Sequence, residues 1–147
     1  MLDGVTLRRA CPADEPFLRA VFADDNEQLA LLGRDVREIL LDMEYRGHRS
    51  AQLAAHPNLE RFIITVDGLD VGTFAYDISS GLTEIVELTI TRNSRRHGIG
   101  TAVLSIGPAG PKSTTVGVRN EAARNLYARV GFTVAEETTT RVTLRCA

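Results

Sequence analysis

The sequence predicts an α/β domain in which a mixed β-sheet carries helices on both faces. Stretches with the two-residue alternation of a β-strand and stretches with the spacing of an amphipathic helix follow one another along the chain. One apolar run, from Glu84 to Thr91, leads through a glycine-rich turn into a helix start. The 147 residues are 44% hydrophobic, so residues 1–147 are expected to form one domain with its own core.

The net charge and the cysteine content limit the functional classes to which the protein can belong. A net charge of −2 argues against general nucleic-acid binding, which needs a basic face. The cysteines, Cys11 and Cys146, lie near opposite ends of the chain, and no apolar run has the length of a signal peptide or a membrane span. We therefore expect a soluble cytoplasmic protein with two unreactive thiols that binds neither nucleic acid nor membrane.

The N-terminal part is expected to contain one strand and two helical regions. Alternation from Val5 to Ala10 predicts the strand. Asp14 is placed to cap a helix from Glu15 to Ala23. A second helix is predicted from about Asp35, and Gly47 marks a point where it bends or breaks. The spacing of its apolar residues predicts one buried face, made of Val36, Ile39, Leu40 and Met43.

Strands and helices alternate through the rest of the chain. The turn pair Asp67-Gly68 predicts a hairpin between strands 62–66 and 71–76, and residues 84–90 form the central strand. Gly107-Pro108 should stop the next helix little more than one turn after Thr101. The remaining elements are expected to be a strand at 114–118, a helix from Asn120 to Gly131, and strands at 132–135 and 140–144.

The turn Arg95-Arg96-His97-Gly98-Ile99-Gly100-Thr101 predicts an anion site. Its glycines let backbone N–H groups approach a ligand closely, and a helix N-terminus adds unpaired N–H groups and partial positive charge. A dinucleotide fingerprint is weak because Val103 stands in place of its third glycine, and no Lys-Ser or Lys-Thr follows these glycines as a Walker loop requires. A tight turn without a ligand is the remaining alternative, although two adjacent arginines would repel each other unless an anion lay between them.

Two blocks of the sequence carry a family resemblance. Residues 90–100 read ITRNSRRHGIG, and residues 120–132 read NEAARNLYARVGF. The first is similar to the R/Q-x-x-G-x-G/A pyrophosphate loop of the GNAT superfamily, the acetyl-CoA-dependent N-acetyltransferases. The second is similar to that family's N-x-x-A-x-x-L-Y-x-x-x-G-F block. Both occur in the family's order, and the resemblance is specific over the region from Glu84 to Phe132.

The resemblance implies a GNAT-like sheet, mixed and mostly antiparallel, whose two central parallel strands splay apart to admit acetyl-CoA as cosubstrate. It implies that backbone groups of Leu88, Thr89 and Ile90 bond the pantetheine and that Asn120 caps its helix or contacts the cofactor. The pyrophosphate would be held by Arg95, Arg96, His97, Gly98, Ile99, Gly100 and Thr101. Transfer would be direct, in a ternary complex, to a primary amine of a small molecule or peptide, without a metal.

Three side chains are candidates for proton transfer. A glutamate early in the central strand often serves as general base in the resembled family, which makes Glu84 the first candidate and Glu87 the second. Strict alternation puts these two on opposite faces, so that at most one points into a given pocket. The alternative for either is an ion pair with an arginine. Tyr127 matches the family's tyrosine, which protonates the departing thiolate, and without that motif it would be an interfacial aromatic.

The acceptor and the oligomeric state stay open at the level of sequence. The resemblance places the acceptor against the first helices, where His48 and His56 could titrate near neutrality. Most charged residues there are expected to form an ordinary solvated helix face. Monomer and homodimer are both allowed. The shortened helix after Thr101 keeps a non-catalytic CoA-binding module as the alternative to an enzyme.

Overall fold

The computed structural model describes residues 4–147, which form a seven-stranded sheet with helices on both faces. The strands are β1 Val5–Arg9, β2 Glu60–Val66, β3 Leu69–Ser79, β4 Leu82–Ile90, β5 Lys112–Gly117, β6 Thr133–Glu137 and β7 Arg141–Cys146. The helices are α1 Glu15–Asp25, α2 Arg34–Ala55, α3 Ile99–Ile106 and α4 Glu121–Arg129. Short 3-10 turns lie at Pro12–Asp14, Glu27–Leu31 and Arg92–Ser94.

The sheet has the order β1-β2-β3-β4-β5-β7-β6. Every neighbouring pair is antiparallel except β4 and β5, which are parallel. The hairpin at Asp67-Gly68 forms as predicted, with both residues at positive φ, as a tight two-residue turn requires. The predicted fold class, a mixed and mostly antiparallel sheet with one central parallel pair, is confirmed.

The face of the sheet that α3 and α4 cover, called here the apolar face, contains the main core. Phe74, Ile85 and Val103 are completely or almost completely buried there, together with Val142 on β7. Phe132 packs edge-on against Tyr127 with ring centroids 4.9 Å apart, which joins α4 to this cluster. Burial of large apolar side chains is therefore the main force that holds α3 and α4 on the sheet.

The opposite face, called here the polar face, is covered by α1 and α2. Its apolar cluster is small and centres on Leu18, Tyr45 and Ile63. The predicted apolar face of α2 is wrong, because Val36, Ile39 and Met43 are 52–62% exposed and Leu40 is half-buried. The helix instead turns Tyr45 and Gln52 inward. The reason lies on the sheet, where the charged Arg61 and Glu87 select a polar partner face.

Two further details of the N-terminal helices differ from expectation. Asp14 does not cap α1, because its carboxylate accepts the Cys11 backbone N–H at 2.9 Å and two guanidinium N–H groups of Arg8. Those contacts hold β1 against the turn before α1, and the Arg8 guanidinium is the main reason that the pKa of Asp14 is lowered. Helix α2 continues through Gly47 over 22 residues without a break.

Helix α3 is longer than predicted. It begins at Ile99, directly after the turn, and its eight residues form about two turns. Gly107 ends it, and a β-carbon at that position would lie 3.2 Å from the Phe74 ring. Both cysteines are free thiols, and none of the described helices is long and apolar enough to span a membrane.

Candidate functional site

Strands β4 and β5 separate in the middle of the sheet. Their pairing is limited to three positions, Thr83 with Lys112, Glu84 with Ser113 and Ile85 with Thr114. The Thr114 hydroxyl donates to the Ile85 carbonyl oxygen at 3.1 Å and closes the last of these pairs. Beyond this point, called here the β4–β5 fork, β4 continues through Leu88, Thr89 and Ile90 along β3 only. The edge of β4 that faces the fork therefore carries backbone groups outside the ladder.

The predicted anion turn leads directly from β4 into α3. Arg96 and Gly98 both have positive φ, at 65° and 78°, so left-handed backbone positions flank His97 on both sides. Gly98 is the N-cap residue of α3, and no side chain of residues 4–147 caps this helix start. Its carbonyl accepts from Ala102, which leaves the N–H groups of Ile99, Gly100 and Thr101 without an intrahelical partner. These N–H groups and the helix dipole favour an anion at this position.

Gly100 has a packing role besides its place in the turn. A β-carbon there would lie 3.0 Å from the Leu126 side chain, so glycine lets α3 approach α4 closely. The start of α3 therefore lies next to the residue that precedes Tyr127 in α4.

Tyr127 is buried at the base of the fork. The residue is 3% exposed, and the hydroxyl of Thr114, the last residue of β5 that pairs with β4, lies close enough to affect the pKa of its phenol. Burial raises the pKa of Tyr127 to about 12, and the Thr114 hydroxyl lowers it in part. The phenol is thus a neutral hydrogen-bond donor at any physiological pH, held where β4 and β5 diverge.

Comparison with solved structures identifies the fold. A PaiA N-acetyltransferase from Thermoplasma acidophilum in complex with coenzyme A has a TM-score of 0.71 at 13% identity, over 96% of this chain and 97% of that one. An acetyltransferase from Thermus thermophilus has a TM-score of 0.71 at 19% identity, over 97% and 96%. A GNAT family acetyltransferase from Elizabethkingia anophelis with acetyl-CoA bound has a TM-score of 0.63 at 13% identity, over 97% of each. This chain has the GNAT fold. No protein-family model matches the sequence, and no curated protein matches it either.

Within the GNAT fold, the two acids of β4 lie on the same face of the sheet. Ala75 pairs with Glu87 and Tyr76 with Ile85, so Val86 is an extra residue that forms a β-bulge. The bulge shifts the alternation by one position, and Glu84 and Glu87 both point to the polar face. The prediction that they occupy opposite faces is therefore wrong, because strict alternation holds only in a strand without a bulge.

Glu87 is fully engaged in a charged network beneath α2. Its carboxylate accepts from Gln52 at 2.8 Å and lies 3.4 Å from both Arg61 and His48. Burial alone would raise the pKa of Glu87, but the His48 contact, the Arg61 charge and the Gln52 hydrogen bond outweigh it and hold the pKa at about 2. The side chain is 19% exposed, whereas that of Glu84 is 49% exposed.

The three arginines around the anion turn make different contacts. Arg95 donates through Nε to the Ile90 carbonyl at 2.8 Å and lies 3.3 Å from Asp25 at the end of α1. Arg92 binds Asp24 through its backbone N–H at 2.6 Å and forms an ion pair with Glu27. Arg96 is exposed and has no ion-pair partner among residues 4–147. Asp25 and the Ile90 carbonyl thus hold the Arg95 side chain, whereas the Arg96 side chain is oriented to solvent.

Two further predicted cofactor residues, His97 and Asn120, make contacts within the protein. His97 contacts the Ser94 carbonyl at 3.2 Å within the turn. Asn120 caps α4, because its Oδ1 accepts from the Ala123 backbone N–H at 3.1 Å. Among residues 4–147, no group of three or more potential ligand side chains is arranged to hold a metal ion.

A cleft of about 220 Å³ lies on the polar face beside the β-bulge. Its walls combine the ends of α1 and α2 with β4, and they include Phe22, Asp25, Asn26, His48, Val86 and Glu87. Burial raises the pKa of Asp25, and the charge of Arg95 opposes that effect. The cleft therefore reaches β4 from the side opposite to Tyr127, beside the strand edge that opens at the fork.

Sequence reasoning missed two groups at this site. Arg61 shares its face of β2 with Ile63, and a charged residue on a buried face was the available signal for the Glu87 network. The placement of His56 between Asp77 and Glu84 was also missed, since no local spacing relates positions 56, 77 and 84.

Proposed function

We propose that this protein is an acetyl-CoA-dependent N-acetyltransferase, with residues 1–147 as its single domain, that acetylates a primary amine of a small molecule or peptide. One observation carries the proposal: the β4–β5 fork has a buried tyrosine at its base and an uncapped helix start at its rim. A thioester at the fork would have a proton donor on one side and, on the other, a cleft that reaches the same strand.

Acetyl-CoA would bind mainly through backbone groups. The pyrophosphate fits the N–H groups at the start of α3, with added charge from Arg96, and the loop residues Arg95 to Thr101 set the geometry. The pantetheine would lie along the open edge of β4 at Leu88 and Thr89, where an amide can replace the missing strand partner. The Ile90 carbonyl already accepts from Arg95, so its contribution would be limited to positioning the loop.

The transfer would proceed in a ternary complex without a covalent enzyme intermediate. A neutral amine in the cleft attacks the thioester carbon, and a backbone N–H group near the bulge at Val86 stabilises the oxyanion. The new C–N bond forms as the C–S bond breaks, so the amine loses one proton and the sulfur leaves with the electron pair. Tyr127 donates a hydrogen bond to that sulfur. Glu84, two residues before Val86 in the cleft wall, takes the amine proton through water.

The two acids are not equivalent as bases in this scheme. A carboxylate with a pKa of about 2, already occupied by three donors, has little capacity to accept a further proton. Glu84 is half-exposed and contacts a histidine rather than an arginine. We therefore assign the base to Glu84 and a structural part to Glu87. The matching test is Glu84→Gln, which should lower turnover at pH 7 and recover in part as rising pH deprotonates the amine itself.

The first experiment asks whether the protein binds CoA and turns over acetyl-CoA. Isothermal calorimetry with CoA is combined with turnover over a panel of amines, corrected for hydrolysis. Gly98→Val should abolish CoA binding, because a branched side chain would enter the phosphate position. Gly110→Val is the matched control, since both glycines have positive φ and open space around the missing β-carbon.

The outcomes separate the alternatives. CoA binding that Gly98→Val abolishes and Gly110→Val leaves intact, together with turnover on at least one amine, would support an enzyme. Tight CoA binding without turnover on any amine would favour a non-catalytic CoA-binding module. Equal CoA affinity in the parent and a folded Gly98→Val variant would remove the proposed cofactor site.

A further inference from the structure

His56 lies between two carboxylates at the end of α2. Its Nδ1 is 3.4 Å from Asp77 Oδ2, and its Nε2 is 3.4 Å from Glu84 Oε2. Asp77 and His56 are largely buried, with side chains 16% and 20% exposed. Among residues 4–147, Asp77 and Glu84 are the charged groups that pair with this ring within 4.0 Å.

The position of the ring is determined by three separate elements. Asp77 and Glu84 are directly opposite each other on β3 and β4, which would place two like charges face to face. His56 follows the last residue of α2, where its backbone N–H donates to Gln52 at 2.8 Å and its carbonyl accepts from Leu59 at 3.0 Å. A proton that reaches the ring would therefore be stabilised by both carboxylates and by the helix C-terminus.

Each of the two acids of β4 contacts one histidine. His48 lies in α2 and His56 directly follows this helix, so both rings face β4 from the same side. His48 contacts Glu87, which Arg61 and Gln52 already occupy. His56 contacts Glu84, which has no arginine partner among the described residues. Only the second pair leaves the carboxylate available for proton transfer.

We propose that His56, oriented by Asp77, is a positioning residue that accepts the substrate proton from Glu84. The inference rests on the proposed acetyltransferase function. The amine proton passes to the Glu84 carboxylate and from there to Nε2 of a neutral His56 ring whose Nδ1–H faces Asp77. Glu84 is returned to its ionised form, and the positive ring is stabilised between Asp77 and Glu84 until the proton leaves to solvent.

The kinetic test is a double-mutant cycle. The parent, His56→Gln, Glu84→Gln and the double variant are compared at saturating acetyl-CoA over a pH range, with CoA affinity measured by calorimetry. His56→Gln should lower kcat roughly 10-fold, less than the 10²-fold expected from removing a direct acid or base, and should leave CoA affinity unchanged. Asp77→Asn should act in the same direction. In the Glu84→Gln background, His56→Gln should have no further effect on kcat.

A purely structural His56 predicts different results. Effects of His56→Gln and Glu84→Gln on kcat that add in the double variant would overturn the inference, as would a His56→Gln effect confined to KM or CoA affinity. His56→Asn is a second variant in case the glutamine side chain disturbs the end of α2.

An independent readout does not need turnover. The ring nitrogens of His56 are followed by NMR in the parent and in Glu84→Gln at the same pH. Loss of the Glu84 charge should change the chemical shift of Nε2, because that nitrogen lies 3.4 Å from Glu84 Oε2. Identical ring shifts in the two proteins would overturn the inference. An inactive parent with this shift would refute the acetyltransferase proposal, and with it the relay step, while confirming that the three side chains form one unit.

Discussion

The two faces of the sheet are built by different means from the same strands. On the apolar face, Phe74, Ile85 and Val103 make a core in which few polar groups need partners. On the polar face, the apolar cluster is small, and α2 lies over a network that includes Arg61, Glu87 and Gln52. The packing of the apolar face depends mainly on side-chain volume, whereas the packing of the polar face depends on charge pairs. Charge pairs require a defined geometry, so the polar face should tolerate fewer substitutions.

The β-bulge at Val86 creates this division in β4. Without it, Glu87 would point among the apolar side chains of the core beside Ile85. With it, both acids reach the polar face and Leu88 packs against the apolar cluster. The same irregularity removes Val86 from the ladder beside the fork. One extra residue therefore serves both the fold and the proposed site.

The largest expected effect comes from breaking the charge pairing of the polar face. Arg61→Met leaves Glu87 without its arginine and should lower the free energy of unfolding by about 3–5 kcal/mol, as for other buried pairs that lose one partner. The matched control is Arg9→Met on β1, which removes an exposed ion pair with Glu60 and should cost at most about 1 kcal/mol. Urea titration of both variants gives the measurement. Equal costs would mean that the polar face is not held by its charges.

A second prediction uses the protonation of Glu87. Its pKa in the folded protein is about 2, below the value of about 4.3 for an unperturbed glutamate, so the unfolded chain binds its proton first. The stabilisation is therefore complete above about pH 4.3 and is lost as pH falls towards 2, by an amount on the order of 3 kcal/mol. Glu87→Gln should lower stability at pH 7 and flatten the dependence of stability on pH over that interval. A slope unchanged from the parent would contradict the assignment.

Tyr127→Phe tests the apolar face, where the proposed site depends on one hydroxyl. A phenol whose pKa is about 12 keeps its proton and contributes a hydrogen bond to the leaving sulfur. We expect turnover to fall roughly 10²-fold, the low end for such catalysis, with little change in stability or CoA affinity. Tyr76→Phe is the control, since Tyr76 belongs to the same core and stacks on Phe62 at 5.5 Å. Parent-like turnover in Tyr127→Phe, with chemistry rate-limiting, would make Tyr127 a packing residue.

The apolar face could be predicted from the sequence better than the polar face. The strands, the hairpin at Asp67-Gly68, the α3 and α4 regions and the mixed sheet were predictable, because apolar periodicity and turn chemistry are local signals. The end of β4 and its glycine turn were recognisable from their motif. The orientation of α2 was not, because it depends on Arg61 and Glu87, which belong to strands β2 and β4 and leave no mark on the helical pattern. The bulge at Val86 also left no local signal, so the shared face of Glu84 and Glu87 could not be anticipated.

The smallest expected effect concerns the outward face of α2. Ile39 is 62% exposed, so Ile39→Ala removes little buried area, and alanine is the better helix former. We expect the free energy of unfolding of the Ile39→Ala variant to stay within about 0.5 kcal/mol of that of the parent. Ile63→Ala is the same chemical change at a fully buried position of the polar face and should cost about 2–5 kcal/mol. Both variants are measured by urea titration at two protein concentrations. A cost for Ile39→Ala comparable to that of Ile63→Ala would show that the outward face of α2 is covered in solution, and a dependence on protein concentration would identify a second copy of the chain as the cover.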